Sequence, residues 1–231
     1  MKIIRKIVFL SIIGLFFESC STDSAMVISS KNYKYLALGD SYTIGESVCE
    51  SCRFPVQLKD SIGEYLNAND TFLVKVIATT GWTTTNLKSA IAAENPTNDY
   101  DLVTLLIGVN NQYQHQPFSL YEQEFPELLN TAIQKAKGNK NNVIVVSIPD
   151  YAFTPFGNGN ATISAEIDSY NAFAENYCNT NNITFITITD ITRMGLAQPE
   201  LVARDGLHPS AIAYARFVER LLPEARTKIA D

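Results

Sequence analysis

From residue 34 onward, short β-rich runs alternate with segments whose apolar residues recur every three or four positions. The runs are "KYLALG", "FLVKVIAT", "YDLVTLLIG", "NNVIVVSIP" and "ITFITIT". Most are too continuously apolar to leave one face wet, as expected of parallel strands covered on both sides. Tyr121, Phe125, Leu128, Ala132 and Ala136 form one helical stripe; Ile163, Ile167, Tyr170, Ala174 and Tyr177 form another. Pro126 falls inside the first, so that helix is expected to start there or to kink. A last helix is expected to carry Pro209 in its first turn and to turn Ile212, Ala215, Val218 and Leu222 to one face. This alternation predicts an α/β fold, a single three-layer α/β/α domain around a five-stranded parallel sheet, doubly wound with right-handed crossovers. Ligands of such sheets gather at the C-terminal ends of the strands. That rule singles out "GDSYT", "TGWTTT", "GVNNQYQH", "DYAFTPFGNGN" and the region of "ARDGLHPS".

With 231 residues, 46% of them hydrophobic, the chain suffices for one sizeable domain that buries roughly 70% of its unfolded surface. A net charge of -6, with no basic block after the first residues, argues against nucleic acid as a partner and suits an uncharged or weakly charged substrate. At the start, Lys2, Arg5 and Lys6 precede an apolar run from Ile7 to Phe17, which meets Glu18, Ser19 and Cys20. This is the layout of a secretory signal peptide, and the run is short for a membrane span. Ser19-Cys20 also resembles the lipobox of bacterial lipoproteins, whose cysteine is lipidated and becomes the new N-terminus, although Phe17 and Glu18 stand where leucine and a small residue are usual. Residues 1–19 therefore read as a signal peptide, 20–33 as a lipidated or polar tether, and 34–231 as the domain. The protein is expected to be exported, as a membrane-anchored lipoprotein or a periplasmic protein, touching a membrane only through an anchor at Cys20; ordinary cleavage nearby and a retained anchor are the alternatives.

Cys49, Cys52 and Cys178 are left for an oxidising compartment. "CESC" fits a small disulfide loop, a redox pair or half of a metal site. No second Cys/His pair at ligand spacing follows, and a redox pair needs a depressed thiol pKa, so the Cys49–Cys52 disulfide is the favoured reading, with free thiols the alternative, and no metal is expected. Cys178 falls near an apolar helix face and reads as a small buried hydrophobe.

The chain has two histidines. His115 has no carboxylate close in sequence, whereas His208 follows Asp205 in "DGLHPS". A serine nucleophile needs a base to take its proton, and that base needs a group to hold its other ring nitrogen. A turn at Gly206 allows Asp205 to hold His208 and leaves the other nitrogen for Ser41. Each residue also has an ordinary reading: Asp205-Gly206 as a turn, Asp40 or Ser41 as a helix cap, Gly81 as a turn glycine, Asn110 as a loop cap. What favours chemistry is that Ser41, Gly81, Asn110 and His208 all fall in the post-strand segments, where backbone and side-chain N–H groups of Gly81 and Asn110 are able to converge on Ser41.

On "GDSYT", "TGWTT", "GVNN" and "DGLHPS", the chain over roughly residues 34 to 222 resembles the SGNH hydrolases, also called GDSL-type esterases and lipases. The resemblance implies a flavodoxin-like fold, Ser41 as nucleophile, His208 and Asp205 as the other triad members, and Ser41, Gly81 and Asn110 as oxyanion donors. Tyr42 replaces the leucine of the family's name, and Asn111 stands where aspartate is usual, which leaves the structural role of that position open. The implied activity is hydrolysis of carboxylic esters through an acyl-enzyme, without cofactor or metal, on a small-molecule, glycan or lipid ester. The family includes lysophospholipases, thioesterases, arylesterases and carbohydrate deacetylases, and the lack of a long apolar lid favours short acyl chains. Trp82, Tyr113, Tyr151, Phe153 and Phe156 are candidates for an apolar or sugar-stacking wall. Two rival readings are a surface binding protein that keeps the fold without the chemistry, and a thiol-redox protein built on Cys49 and Cys52, which leaves "GVNN" and "DGLHPS" unused.

Overall fold

The computed structural model describes residues 30–230; the expected signal peptide and Cys20 lie outside them. Five parallel strands, β1 (Asn32–Gly39), β2 (Thr71–Ala78), β3 (Leu102–Leu106), β4 (Val143–Val146) and β5 (Thr184–Ile186), make one sheet in the order β2-β1-β3-β4-β5. The intervening helices are α1 (Ser41–Ile44), α2 (Phe54–Gly63), α3 (Thr84–Glu94), α4 (Val109–Tyr113), α5 (Phe118–Lys135), α6 (Ala161–Asn181), α7 (Thr189–Thr192) and α8 (Ala211–Ala230). Helix α2 packs on α8, while α5 packs on both α3 and α6, and the central strand β3 meets both α5 and α8. This is the expected α/β/α sandwich, and every residue of β3 and β4 is buried within it. Edge strand β2 differs: its burial alternates at the start, with Leu73 65% exposed, so one face of the strand is open to solvent there. Strands β4 and β5 are shorter than their apolar runs, since beyond Ile186 the N–H groups of Ile188 and Thr189 turn to the Ser147 hydroxyl at 2.8 and 3.2 Å instead of continuing a ladder.

Two helix expectations need correction. Of the two alternatives at Pro126, the helix start is overturned: helix α5 begins at Phe118, eight positions earlier, with the proline inside it; its stripe of Tyr121, Phe125, Leu128 and Ala132 is fully buried, and the ring of Tyr121 lies 4.7 Å from that of Tyr170 on α6. Packing of this aromatic cluster outweighs the hydrogen bond that the proline forfeits. Helix α8 starts at Ala211, after Pro209, with the Ser210 hydroxyl accepting from Ala213 N at 3.3 Å. Its buried face is Ala213, Tyr214, Phe217, Leu221 and Ala225, while Ile212 is 51% exposed. Only Val218 of the expected face is buried, because burying the rings of Tyr214 and Phe217 rotates the helix by about one residue.

Candidate active site

Strand β1 ends at Gly39 because nothing larger fits: a Cβ there would lie 2.1 Å from Thr43 Oγ1 and 2.5 Å from the Leu106 carbonyl oxygen. The next residue, Asp40, caps α1, its Oδ1 accepting from Tyr42 N at 3.0 Å and its carbonyl accepting from Thr43 N and Ile44 N. Among the first N–H groups of α1, that of Ser41 has no acceptor in the described residues. Asp40 is wholly buried and its Oδ2 has no hydrogen-bond partner among the described residues. Burial pushes its carboxyl up to about 7, against the opposing Tyr42 N–H bond.

Ser41 and His208 open onto one cavity of about 190 Å³, lined also by Tyr42, Thr80, Gly81, Val109, Asn110, Tyr113, Tyr151, Phe156 and Leu207. No direct hydrogen bond joins Ser41 to His208 among the described residues; such contacts in hydrolases tighten when substrate binds. The loop after β5 and α7 delivers the histidine through a bridge of Val202 to Pro209 and a bond from Ala203 N to the His208 carbonyl at 2.7 Å. Within that loop His208 Nδ1 lies 2.6 Å from Asp205 Oδ2. Asp205 Oδ1 accepts from the backbone N–H groups of Leu207 and His208 at 2.9 and 3.0 Å, and Oδ2 also accepts from the Ser47 hydroxyl at 2.6 Å. Partial burial works to raise the Asp205 carboxyl, but the bonds from Ser47, His208 and the two backbone groups outweigh it and hold the carboxyl far below the usual carboxylate range. The Tyr42 ring, at a centroid distance of 5.3 Å, flanks the imidazole, so the position of the family's leucine carries a buried ring against the histidine.

Gly81 has a φ of +83°, a conformation natural to glycine, and its N–H has no acceptor among the described residues. Its carbonyl accepts from Gln114 Nε2 at 2.8 Å, which pins this turn to the segment after α4. Asn110, on α4, donates one amide N–H to the Trp82 carbonyl at 3.0 Å, fixing the side chain and leaving a second N–H beside the cavity. Neighbouring Asn111 is wholly buried, accepts from Thr84 N at 2.9 Å and donates to Thr84 Oγ1 at 2.7 Å. That hydroxyl in turn donates to buried Glu124 at 2.5 Å. An aspartate at 111 would bring a second buried carboxylate to the same hydroxyl, whereas the amide supplies donor and acceptor without charge.

The aromatic wall is smaller than expected. Tyr113, Tyr151 and Phe156 line the cavity as a cluster with centroids 6.0 to 6.2 Å apart. Trp82 and Phe153 do not line it; Trp82 packs on the core and contributes its carbonyl instead. Tyr151 is held by its hydroxyl, which donates to Gln112 Oε1 at 2.8 Å, while Gln112 Nε2 donates to Glu166 Oε2 at 2.6 Å. Cys49 and Cys52 form a disulfide in an exposed loop, and Cys178 is buried, its thiol pushed up to about 12 by burial. His115 lies outside the cavity. Thr80, Val109, Leu207, Gln112 and Ser47 are not among the residues expected from sequence; Thr80, Val109 and Leu207 each directly precede a singled-out residue and Gln112 lies within "GVNNQYQH", whereas Ser47 carries no local signal.

A family model described as the GDSL-like Lipase/Acylhydrolase family matches residues 37–216. No curated protein matches the chain in sequence. Among solved structures, the fold is similar to a lipase/acylhydrolase from Enterococcus faecalis at 19% identity and a TM-score of 0.62, covering 85% of this chain and 96% of the other. It is also similar to an acetylxylan esterase from Geobacillus stearothermophilus at 18% identity and a TM-score of 0.59, covering 84% and 94%. A psychrotrophic esterase from Pseudoalteromonas sp. aligns at 14% identity and a TM-score of 0.60, covering 86% and 99%.

Proposed function

Because the chain belongs to the GDSL-like lipase/acylhydrolase family and is an ester-hydrolysing enzyme, we propose that it cleaves carboxylic esters of short acyl chains through an acyl-enzyme on Ser41. The observation that carries this reading is the convergence of Ser41, His208 with its Asp205 partner, Gly81 and Asn110 on one small cavity. His208 Nε2 takes the Ser41 proton while Nδ1–H stays on Asp205, and the Ser41 oxygen attacks the ester carbonyl. The developing oxyanion is held by the N–H groups of Ser41 and Gly81 and the free amide N–H of Asn110. The imidazolium then protonates the leaving alcohol, and water repeats the sequence on the acyl-enzyme.

Asn110→Ala is expected to lower kcat by about 10² to 10³ with little change in KM, since the amide acts on charge present only in the transition state. Steady-state kinetics check this, and an unchanged kcat would remove Asn110 from the oxyanion hole.

A cavity of about 190 Å³ is below the roughly 300 Å³ at which drug-sized ligand pockets begin, which supports a short acyl group over a long one. A series of p-nitrophenyl esters tests the preference: we expect the highest kcat/KM at about two to four acyl carbons, and an optimum beyond about eight would overturn the size argument. A second reading, deacetylation of carbohydrate esters, is favoured by the half-exposed rings of Tyr113 and Phe156 at the cavity, which present flat faces of the kind sugars stack on. Loss of acetate from an acetylated oligosaccharide distinguishes it from simple ester hydrolysis. The leader-like residues 1–19 and Cys20 support export and a lipid anchor, as part of the same proposal.

A further inference from the structure

Asp205 is not sealed in the interior: 29% of its side chain is exposed, so water has access to the carboxylate that orients His208. Three groups of its own loop, the backbone N–H groups of Leu207 and His208 and the His208 ring, occupy part of its acceptor capacity. The remaining protein donor comes from the loop after α1, where the hydroxyl of Ser47 reaches Oδ2, the same oxygen that accepts from His208 Nδ1, at 2.6 Å.

The backbone that delivers Ser47 is built to a single shape. The N–H groups of Gly45 and Glu46 both bond the Ser41 carbonyl at 3.0 Å, so the loop springs directly from the nucleophile's own residue. Glu46 accepts from Thr80 next to Gly81, and the loop is closed two residues beyond Ser47 by the Cys49–Cys52 disulfide. Ser47 itself holds a φ of +66°, a left-handed conformation unusual for a residue with a side chain. Glycine suits that backbone better but carries no donor, whereas the serine hydroxyl supplies one at 2.6 Å.

We propose that Ser47 is a positioning residue for the triad, fixing the Asp205 carboxylate from the loop that follows the nucleophile so that the Nδ1 bond keeps its direction during turnover. The hydroxyl fills the site water would otherwise take on Oδ2 and touches neither substrate nor the reacting atoms. The proposal rests on the triad assignment above.

Ser47→Gly deletes the donor while relieving the left-handed backbone, so it is expected to fold at least as well as the parent. Its kcat is expected to fall about tenfold with KM within about twofold, the low end for a hydrogen bond to a charged group because the site is exposed. The downfield Nδ1–H proton resonance of His208 is expected to shift and broaden, which a merely structural loop residue would not cause. Ser47→Ala is expected to match Ser47→Gly in kcat despite its greater backbone strain. An unchanged kcat, or a fall in kcat with an unmoved resonance, overturns the assignment. If Ser41→Ala and Asp205→Asn abolish activity while Ser47→Gly changes neither readout, Ser47 alone fails; if those two variants keep activity, the triad reading itself has failed.

Discussion

Ser41→Ala is expected to lower kcat by about 10⁴ to 10⁶ while thermal unfolding stays close to that of the parent, because removal of a serine nucleophile leaves only binding and oxyanion stabilisation. The fold gives reason to expect intact structure. The turn at Ser41 is held by Gly39, which admits no Cβ, and by Asp40, whose carboxylate caps Tyr42 N. The Ser41 backbone contributes its carbonyl to Gly45 N and Glu46 N, and alanine supplies the same carbonyl. The side-chain hydroxyl makes no hydrogen bond among the described residues, so its loss leaves no buried partner unsatisfied. Residual activity would come from the N–H groups of residues 41 and 81 and the Asn110 amide. Steady-state kinetics beside a thermal melt separate this outcome from unfolding, and a variant retaining a tenth of the parent kcat would exclude Ser41 as the nucleophile.

Asp205→Asn is expected to cost about 10⁴ in kcat, the loss found when a triad aspartate becomes an amide and the histidine is held in the wrong tautomer. The carboxylate accepts at both oxygens, and the asparagine oxygen is expected to keep the two backbone bonds now made to Oδ1. Its NH₂ would then face His208 Nδ1, which has to become an acceptor, so the ring proton moves to Nε2. An Nε2 that carries a proton has no lone pair for the Ser41 hydroxyl. Nitrogen chemical shifts of the imidazole would report the tautomer directly, alongside kcat. A loss of only a few fold with an unchanged tautomer would show that Asp205 does not set the state of His208.

The sheet is legible in the sequence because three of its five strands, β1, β3 and β4, have neighbours on both sides, and the runs of β3 and β4 are buried throughout. The same reasoning misreads the start of β2, where burial alternates and Leu73 faces solvent. Ser41, Gly81, Asn110 and the Asp205–His208 pair are legible because each is tied to the end of a strand or to a loop of a few residues. Ser47 is not, since its bond to Asp205 spans 158 residues and depends on a left-handed backbone that a serine does not announce. The burial of α8 is ambiguous for a different reason: stripes starting at Ile212 and at Ala213 both recur at helical spacing, and only the volume of Tyr214 and Phe217 decides between them. Trp82 shows a further limit, because a large ring in a post-strand loop reads as a substrate wall, while the group it brings to the site is its carbonyl.

The most direct measurement is labelling of the protein with a fluorophosphonate, followed by intact mass and peptide mapping, with Ser41→Ala in parallel. A single adduct on Ser41, absent from the variant and formed in step with loss of esterase activity, is the predicted result. An enzyme that turns over esters without forming an adduct, or an adduct on another residue that persists in Ser41→Ala, would contradict it.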